Sequence, residues 1–554
     1  PNNTPINIIT AKSSSAHIFH RLTKKLPNYY QTPLTSFFKS LDDFVCNVID
    51  LPLPPSLDPK HVLSGNFVPV GEFLPTACYV VEGSLPSCLH SGAYIRNGPN
   101  PQFTPNGPYH LFEGDGLLHM IKFSQGKPTF CSCYVNTHKY AVEREMGYSF
   151  VPSIFSCFNG GLCASVSRFL LTAARILSGH FDPINQGFGT ANTNLALISG
   201  QLFALCESDL PYAVSITAEG DIKTLGSHDF GAAEPFPRMT GHPKIDRVTG
   251  ETFAFAYDVV PPFLKLFRID SNGRKQKDVG IFSMKRLTVI HDFALTETYA
   301  VIPDMQMVVK PSLILSGRSP VEIDEEKVAR VGVIPRYAED EEEMVWIDAP
   351  GFNPLHCLNA WEEDDGDTVC VVATNALTVD QVLENIGCAQ LQVEMIVVNV
   401  KAKTVQRHRL CNELLEFGVI NPAYAAKKNR YIYAAVITET RAVGLVKLDL
   451  SLLNEEGGGD CTVASCWYGP DCHGGEPFFV AREPNNPAAE EDDGYLVTYL
   501  HDDNCKESKL VVMDAKSATL DIIAAVKLPQ RVPTGFHGLF LSQTDLCELE
   551  NINA

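Results

Sequence analysis

The chain has 554 residues, of which 45% are hydrophobic and 20% are charged. This composition is that of an ordinary globular protein and excludes wholesale disorder. The formal net charge of −21 repels phosphate backbones, so we expect no nucleic acid among the partners.

The first 32 residues are polar and irregular, and the chain has no Asp or Glu before Asp42. Basic residues of this segment are Lys12, Arg21, Lys24 and Lys25. An acid-poor, basic, Ser-containing start is typical of organelle transit peptides. We therefore interpret residues 1–32 as a flexible segment, either a transit-peptide remnant or a solvated basic tail.

Two amphipathic helices are predicted, within insertions at about residues 33–50 and 152–180. The first runs from Pro33 to Ile49 and the second from about Gly161 to Ser178, with apolar residues at three- and four-residue steps. Such stripes most often pack on the protein's own core, but a basic amphipathic helix also binds membrane interfaces. No apolar run reaches about 18 residues, so no segment is expected to span a bilayer.

Elsewhere the chain is a series of short predicted strands separated by turns. The clearest are Glu251–Asp258, Phe263–Asp270, Thr288–Phe293, Tyr299–Pro303, Arg430–Val436, Gly444–Leu450, Tyr495–Leu500 and Lys509–Asp514. Many short, evenly spaced strands favour a propeller or a large barrel over alternating βαβ units. We interpret residues 33–554 as a single all-β domain with helical insertions. The 17 cysteines have no zinc-site spacing and are expected to be buried free thiols in a reducing compartment.

Four of the 16 histidines differ from the others in their surroundings. They are His242 in MTGHPKID, His291 in LTVIHDFAL, His356 after the turn GFNPL, and His537 in TGFHG. Each lies in an apolar strand or a tight turn, where an imidazole needs a partner. They are too far apart for a linear metal motif, but the inward strands of a propeller can bring such residues together. Spacing alone leaves both a metal site and separate structural roles open.

Nine segments, in order along the chain, resemble the carotenoid cleavage dioxygenases, in particular those of plants. They are YIRNGPNPQF (94–103), FEGDGLLH (112–119), LFALCESDLPY (202–212), MTGHPKID (239–246), VIHDFALTE (289–297), EFGVINPAY (416–424), GGEPFFVAR (474–482), EEDDGYLVTYLHDD (490–503) and TGFHG (534–538). The stretch EFGVINPAYAAKKNRYIYAAV is most similar to the fourth plant subgroup. The resemblance implies a seven-bladed β-propeller with a helical dome over its iron-bearing face.

The resemblance also implies the site. The residues that match the family's ligands of one Fe(II) are His242, His291, His356 and His537. The residues that match its three outer carboxylates are Glu207, Glu416 and Glu476, which we expect to pair with His291, His356 and His537 respectively. Such carboxylates fix the tautomer of a metal-bound imidazole. By analogy His242 has no glutamate.

The activity implied is cleavage of a C=C bond of a carotenoid or apocarotenoid by O₂, at the 9,10 (9′,10′) or 7,8 (7′,8′) position. Three alternatives stay open: 11,12-cleavage of 9-cis-epoxycarotenoids, isomerisation of retinyl esters at the same iron site, and a non-enzymatic binding scaffold. The implied location is a plastid, either chloroplast or chromoplast, with the protein held peripherally on a membrane or plastoglobule. We expect no protein partner.

A water-insoluble substrate has to reach the iron from lipid. We therefore expect the two amphipathic helices to lie side by side near the mouth of a substrate tunnel. The residues expected to be partly exposed as a lipid-contacting patch are Phe37, Phe38, Leu41, Phe169 and Leu170. The residues expected to favour an anionic lipid surface are Lys24, Lys25, Lys39, Arg168 and Arg175.

Overall fold

The computed structural model describes residues 33–153, 155–156, 159, 161–234, 237–316, 319–453, 459–484 and 486–553. The predicted transit-peptide remnant at 1–32, with Lys24 and Lys25, lies outside the described residues. Within the described residues the chain forms 33 strands and seven α-helices.

The strands make up most of the ordered backbone. In the first part of the chain they are β1 Phe73–Ala77, β2 Tyr79–Gly83, β3 Ser91–Arg96, β4 Leu117–Ser124, β5 Lys127–Tyr134, β6 Asn194–Ile198, β7 Gln201–Leu205, β8 Tyr212–Ile216, β9 Ile222–Ser227, β10 Lys244–Ile245, β11 Thr252–Tyr257, β12 Leu264–Ile269 and β13 Val279–Ile281. In the middle they are β14 Ala294–Leu295, β15 Tyr299–Asp304, β16 Met307–Val309, β17 Val321–Ile323, β18 Arg330–Pro335, β19 Val345–Asp348, β20 Pro354–Glu362, β21 Thr368–Ala376, β22 Leu391–Asn399 and β23 Thr404–Arg409. In the last part they are β24 Leu415–Val419, β25 Tyr431–Thr438, β26 Arg441–Asp449, β27 Thr462–Trp467, β28 Cys472–His473, β29 Phe478–Ala481, β30 Gly494–Asp502, β31 Glu507–Asp514, β32 Ile522–Lys527 and β33 Gly538–Leu541.

Seven antiparallel sheets of four or more strands form the blades of a propeller. Blades 1 and 2 are β6–β9 and β10–β13, blade 3 is β14, β15, β18 and β19, and blades 4 and 5 are β20–β23 and β24–β27. Blade 6 contains β28–β32 together with β2, and blade 7 contains β1, β5, β4, β3 and finally β33. The ring is closed where β33, from the end of the chain, pairs with β3, from its beginning.

The hydrophobic core is divided among the seven gaps between neighbouring blades. One cluster of buried side chains joins each consecutive pair of blades, and the last cluster joins blade 7 to blade 1. A middle strand is therefore covered on both faces, and five of the six residues of β11 (TFAFAY) are buried. This burial explains why such strands are continuous apolar runs instead of alternating patterns.

Seven of the eight strands predicted from the sequence are present, with ends that differ by a few residues. The exception is Thr288–Phe293, where the chain forms one isolated bridge and the strand begins only at Ala294. The reason lies in the hydrogen bonds of this segment. Its Ile290 N–H donates to the Tyr257 hydroxyl and its Phe293 N–H donates to Asp292 Oδ1, so these donors are satisfied without a neighbouring strand.

The α-helices lie outside the blades. They are α1 Pro33–Phe44, α2 Pro59–Val62, α3 His138–Met146, α4 Leu162–Leu177, α5 Pro183–Gln186, α6 Val379–Glu384 and α7 Gln543–Asn553. Helix α1, continued by a π-helical turn to Ile49, and helix α4 fall where amphipathic stripes predicted helices. Helices α3 and α7 were not predicted, and α7 buries only Leu546 and Leu549, which is too little to give a stripe. None of these helices has the length and apolar character needed to cross a membrane.

Helices α1 and α4 lie side by side, as predicted, but not every predicted lipid contact is exposed. Phe37, Phe169 and Leu170 are 56%, 68% and 60% exposed, and Leu41 is half-buried. The prediction is wrong for Phe38, which is only 6% exposed. It lies on the inner side of α1, where its ring packs against His180 at a centroid distance of 5.8 Å.

Arginines between the two helices are held by carboxylates. Arg168 of α4 forms an ion pair with Asp50, and Arg175 forms one with Asp42 of α1. Because both guanidinium groups face the helix interface, the prediction that they attract anionic lipid is wrong. They instead fasten α4 to α1.

Candidate metal centre

The four predicted histidines converge at the inner strands of four blades. His242 lies just before β10, His291 just before β14, His356 within β20 and His537 just before β33. One possible ligand nitrogen from each histidine lies within 4.8 Å of the corresponding nitrogen of every other. The Nε2 atoms of His242 and His291 are 2.9 Å apart. Residues up to 295 positions apart in the chain thus share one small volume on the propeller axis.

Departures from regular strand structure orient two of these imidazoles, those of His291 and His356. His291 lies between the isolated bridge at Thr288 and the start of β14, so its side chain does not follow the alternation of side chains along a regular strand. In β20 the register to β21 shifts between Pro354 and His356 and again between Cys357 and Asn359. Such bulges redirect side chains and are over-represented beside functional sites.

Each of three histidines is paired through Nδ1 with a glutamate, and the pairs are those expected from the sequence. Glu207 contacts His291, the carboxylate of Glu416 lies 2.5 Å from His356, and that of Glu476 lies 2.8 Å from His537. An Nδ1–H that donates to a carboxylate leaves Nε2 as the free lone-pair nitrogen. Among the described residues, no carboxylate pairs with His242.

The surroundings favour neutral imidazoles at two of the four positions. Burial and the three neighbouring imidazoles hold the pKa of His242 well below its usual range. Burial also lowers the pKa of His356, and this effect exceeds the opposite effect of Glu416. At His291 burial lowers the pKa but the carboxylate of Glu207 raises it, with a net rise. Neutral imidazole is the form that binds a metal.

These residues fit a divalent transition metal. His356 Nε2 is buried, and the described residues offer it no hydrogen-bond partner. A buried polar atom without a partner costs free energy, and a metal ion would satisfy it. Imidazole nitrogens suit iron, copper, nickel and zinc, whereas magnesium and calcium take oxygen ligands. Four neutral ligands also leave the charge of the ion uncompensated, unlike sites that include a carboxylate.

Backbone contacts from blade 7 fix the fourth histidine. The Asn97 N–H donates to the carbonyl oxygen of His537 at 3.0 Å, and the Phe536 N–H donates to the carbonyl of Asn97 at 2.9 Å. The buried guanidinium of Arg96 donates to the carbonyl of Pro533. Glu476 also accepts the Gly538 N–H at 2.8 Å. Arg96 and Asn97 of the motif YIRNGPNPQF, which supported the resemblance, thus hold the loop that carries His537.

Sequence reasoning did not identify a second group of residues around the site. Lys244, Asp292 and Cys357 lie within two residues of His242, His291 and His356 and contact one another. The only sequence signal was a charged residue beside a histidine in an apolar segment, which pointed to no particular contact.

Apolar side chains surround the four histidines. Val289 lies two residues before His291 and Leu355 one residue before His356, and both belong to a cluster with Phe112, the hairpin β16–β17 and helix α6. The Phe112 ring lies 5.8 Å from that of Phe536. The Phe417 ring lies 6.5 Å from that of His356 and 6.1 Å from that of His537. Apolar side chains therefore line this side of the site, and the hairpin β16–β17 contributes to them together with helix α6.

Fold and site together define a propeller protein with a four-histidine, three-glutamate centre on its axis. The model of the RPE65 family, described as retinal pigment epithelial membrane protein, matches residues 67–542. The chain belongs to this family, whose plant relatives include the carotenoid cleavage dioxygenases.

Curated relatives are similar over most of the chain. A probable carotenoid cleavage dioxygenase 4 of Arabidopsis thaliana, named chloroplastic, is 52% identical over 94% of this chain and 87% of the relative. A chloroplastic 9-cis-epoxycarotenoid dioxygenase of Oryza sativa subsp. japonica is 48% identical over 93% of this chain and 81% of the relative. A chromoplastic zeaxanthin 7,8(7′,8′)-cleavage dioxygenase of Crocus sativus is 46% identical over 66% of this chain and 98% of the relative.

Solved structures share the fold. The lignostilbene dioxygenase of Pseudomonas brassicacearum superposes with a TM-score of 0.74 at 23% identity, covering 89% of this chain and all of that one. A cobalt-substituted apocarotenoid oxygenase of Synechocystis has a TM-score of 0.70 at 25% identity, covering 88% of this chain and 99% of that one.

Proposed function

We propose that the protein is an Fe(II)-dependent dioxygenase that cleaves one C=C bond of a carotenoid or apocarotenoid and gives two carbonyl fragments. The observation that carries the proposal is the convergence of His242, His291, His356 and His537, three of them paired with glutamates. The names of the relatives, which are carotenoid-cleaving dioxygenases at up to 52% identity, give the same reaction.

In this reaction the protein's own residues would bind and orient the metal ion and the polyene, and they would exclude water. The histidines would hold the ion, and Glu207, Glu416 and Glu476 would keep three of the rings in the metal-binding tautomer. Bound Fe(II) would supply the activation of O₂, both atoms of which end in the products. No acid or base side chain is required to move a proton, because the products contain all hydrogens of the substrate.

Recognition of the polyene has to rest on shape and apolar burial. The middle of a carotenoid has no hydrogen-bonding group, and each Å² of apolar surface removed from water stabilises the complex by roughly 25 cal/mol. The apolar side chains beside the histidines, among them Phe112, Val289, Leu355 and Phe417, offer such a surface. This lining fits a long hydrocarbon better than a polar substrate.

The position of cleavage separates the candidate activities. We favour 9,10 (9′,10′) or 7,8 (7′,8′) cleavage, and the rice relative makes 11,12-cleavage of a 9-cis-epoxycarotenoid the second candidate. Incubation of the purified protein with zeaxanthin, an apocarotenal and a 9-cis-epoxycarotenoid, followed by mass spectrometry of the products, distinguishes them. Iron content near one per chain is expected. Absence of iron binding, or products formed without uptake of O₂, would contradict the proposal.

We also propose that the protein works in a plastid, held peripherally on a membrane or plastoglobule. The plastid names of the relatives support the location. The lipid contact would be the helix-pair patch, defined as Phe37, Leu41, Phe169 and Leu170. Lys39 pairs with Asp43 at 3.2 Å, and the two arginines between the helices are paired as well. Apolar burial rather than attraction to anionic lipid would therefore provide the binding, and the substrate would enter from the lipid side.

A further inference from the structure

An ion pair lies directly behind three of the four histidines. Lys244 Nζ is 2.7 Å from Asp292 Oδ1 and donates to the carbonyl oxygen of Cys357 at 3.1 Å. The other carboxylate oxygen, Asp292 Oδ2, accepts the Cys357 backbone N–H at 2.8 Å. The Asp292 side chain is buried, whereas a quarter of the Lys244 side chain is exposed. Both oxygens of the Asp292 carboxylate, and both the N–H and the carbonyl of Cys357, thus take part in this network of contacts.

The three residues occupy similar places beside the candidate ligands. Lys244 follows His242 by two residues, Asp292 follows His291 by one, and Cys357 follows His356 by one. The three segments belong to blades 2, 3 and 4. One carboxylate and one ammonium group therefore connect three consecutive blades within two residues of the nitrogens that have to meet. The fourth histidine does not need this connection, because Asn97 of blade 7 holds its backbone.

The charges of the Lys244–Asp292 pair also suit a metal centre of four histidines. A lysine and an aspartate together add no net charge near the four imidazoles. A carboxylate left without its ammonium partner would be an uncompensated buried charge next in sequence to one of the candidate ligands. The Asp292 carboxylate is instead fully occupied by Lys244, Cys357 and the Phe293 N–H.

We propose that Lys244 and Asp292 are positioning residues that hold His242, His291 and His356 at the spacing a metal ion requires. They act through the backbone and contact neither metal nor substrate. The inference rests on the proposed metal centre. Partners that orient ligands typically contribute about 10- to 100-fold to metal affinity. We expect a loss of that size when the pair is broken.

The test measures metal binding to the folded apoprotein. Co²⁺ is the probe, because a related propeller oxygenase exists in a cobalt-substituted form and Co²⁺ absorption reports ligand geometry. The variants are Asp292→Asn, Lys244→Met and the double variant. We expect Co²⁺ to bind the single variants at least about tenfold more weakly, with a changed visible spectrum. Removing one partner leaves the other charge unpaired, so the double variant should bind better than either single variant.

A second ion pair in the same protein provides the matched control. Lys447 of β26 lies 2.6 Å from Asp492 and donates to the carbonyl of Ala515 at 3.1 Å, so it has the same chemistry, with an aspartate that is also buried and a lysine that is buried more deeply than Lys244. It lies on no histidine-bearing segment. Asp492→Asn should lower the melting temperature of the apoprotein about as much as Asp292→Asn does, but leave the Co²⁺ dissociation constant and spectrum unchanged. Lys244→Arg, which keeps the charge, should restore binding to within a few-fold of the wild type.

The outcomes are distinct. Weak Co²⁺ binding confined to the Lys244 and Asp292 variants supports the positioning role. Wild-type affinity and spectrum in a folded Asp292→Asn variant, or an equal loss in Asp492→Asn, overturns it while the proposed function remains intact. If the wild type itself binds no Co²⁺ or Fe²⁺, the metal centre fails, and the positioning role fails with it. Should Asp292→Asn not fold, comparison of Lys244→Arg with Lys244→Met gives the same decision.

Discussion

The three glutamates behind the histidines are not equivalent, and the substitution Glu→Gln should reveal the difference. Glu416 accepts from His356 through Oε1 and from the Phe417 N–H through Oε2. Glu476 accepts from His537 through Oε1 and from the Gly538 N–H through Oε2. For Glu207 the described residues provide the contact with His291 only, and its side chain is 23% exposed.

A glutamine at position 416 or 476 can accept only one of the two hydrogen bonds. Its NH₂ group would then face either an imidazole N–H or a backbone N–H, and a buried donor would lose its acceptor. The usual cost of a buried unsatisfied group is about 1–3 kcal/mol, which corresponds to roughly 5- to 150-fold in an equilibrium constant. At position 207 the amide oxygen can still accept from His291, and solvent can hydrate the NH₂ group. We therefore expect Glu207→Gln to cost about tenfold or less.

The assay is Fe²⁺ affinity together with kcat/KM for the cleaved polyene, on purified wild type and the three single variants. The expected order of loss is Glu416→Gln and Glu476→Gln together, then Glu207→Gln, with measurable activity left in each. Equal losses in all three variants, or a Glu416→Gln variant with wild-type iron affinity, would refute the reasoning from oxygen acceptors. Thermal unfolding of the apoproteins identifies any variant whose loss reflects unfolding.

Three further predictions use the same purified protein. Replacement of any one of His242, His291, His356 or His537 by Ala should abolish cleavage and lower iron occupancy. The control is His473→Ala, which changes a buried histidine paired with Asp503 and should keep the iron. If a metal-site variant has normal iron content and activity, that residue is not a ligand. Phe37→Ser combined with Phe169→Ser should reduce flotation with neutral liposomes. The control is Leu74→Ser combined with Tyr79→Ser, which changes two exposed residues of the outer strands β1 and β2 and should leave flotation unchanged. Equal flotation of both double variants would exclude the helix-pair patch as the lipid contact. Chelation should lower the melting temperature, because an ion present at a hundred times its dissociation constant stabilises the folded state by about 2.7 kcal/mol, and an unchanged melting temperature would show that no ion is bound.

Much of the fold followed from patterns of two kinds. Apolar runs such as β11 predicted strands because both faces of a middle strand are covered, and the stripes of α1 and α4 predicted helices. The pattern failed at Thr288–Phe293, where the apolar residues Val289, Ile290 and Phe293 predicted a strand that is not formed. There the Tyr257 hydroxyl and the Asp292 carboxylate replace the strand hydrogen bonds, and neither contact is visible in an apolar sequence.

The candidate site was predicted through resemblance more than through the residues themselves. Spacing alone could not separate four converging histidines from four unrelated ones. Helix periodicity likewise could not determine which side of α1 faces outward, so Phe38 was assigned to the lipid patch together with its neighbour Phe37. The ion pairs of Arg168 and Arg175 decide that orientation, and both join residues more than 100 positions apart. Long-range contacts of this kind lie beyond any local pattern.

The distribution of the histidines over the blades links metal binding to completion of the ring. His242, His291 and His356 come from consecutive blades in the middle of the chain, and the pair of Lys244 and Asp292 joins their segments. His537 comes from β33, which enters blade 7 only by pairing with β3 near the beginning of the described chain. A complete set of four nitrogens therefore exists only when the last strand has closed the propeller. An ion bound by all four would stabilise the same closure, because it binds the closed ring and not the open one.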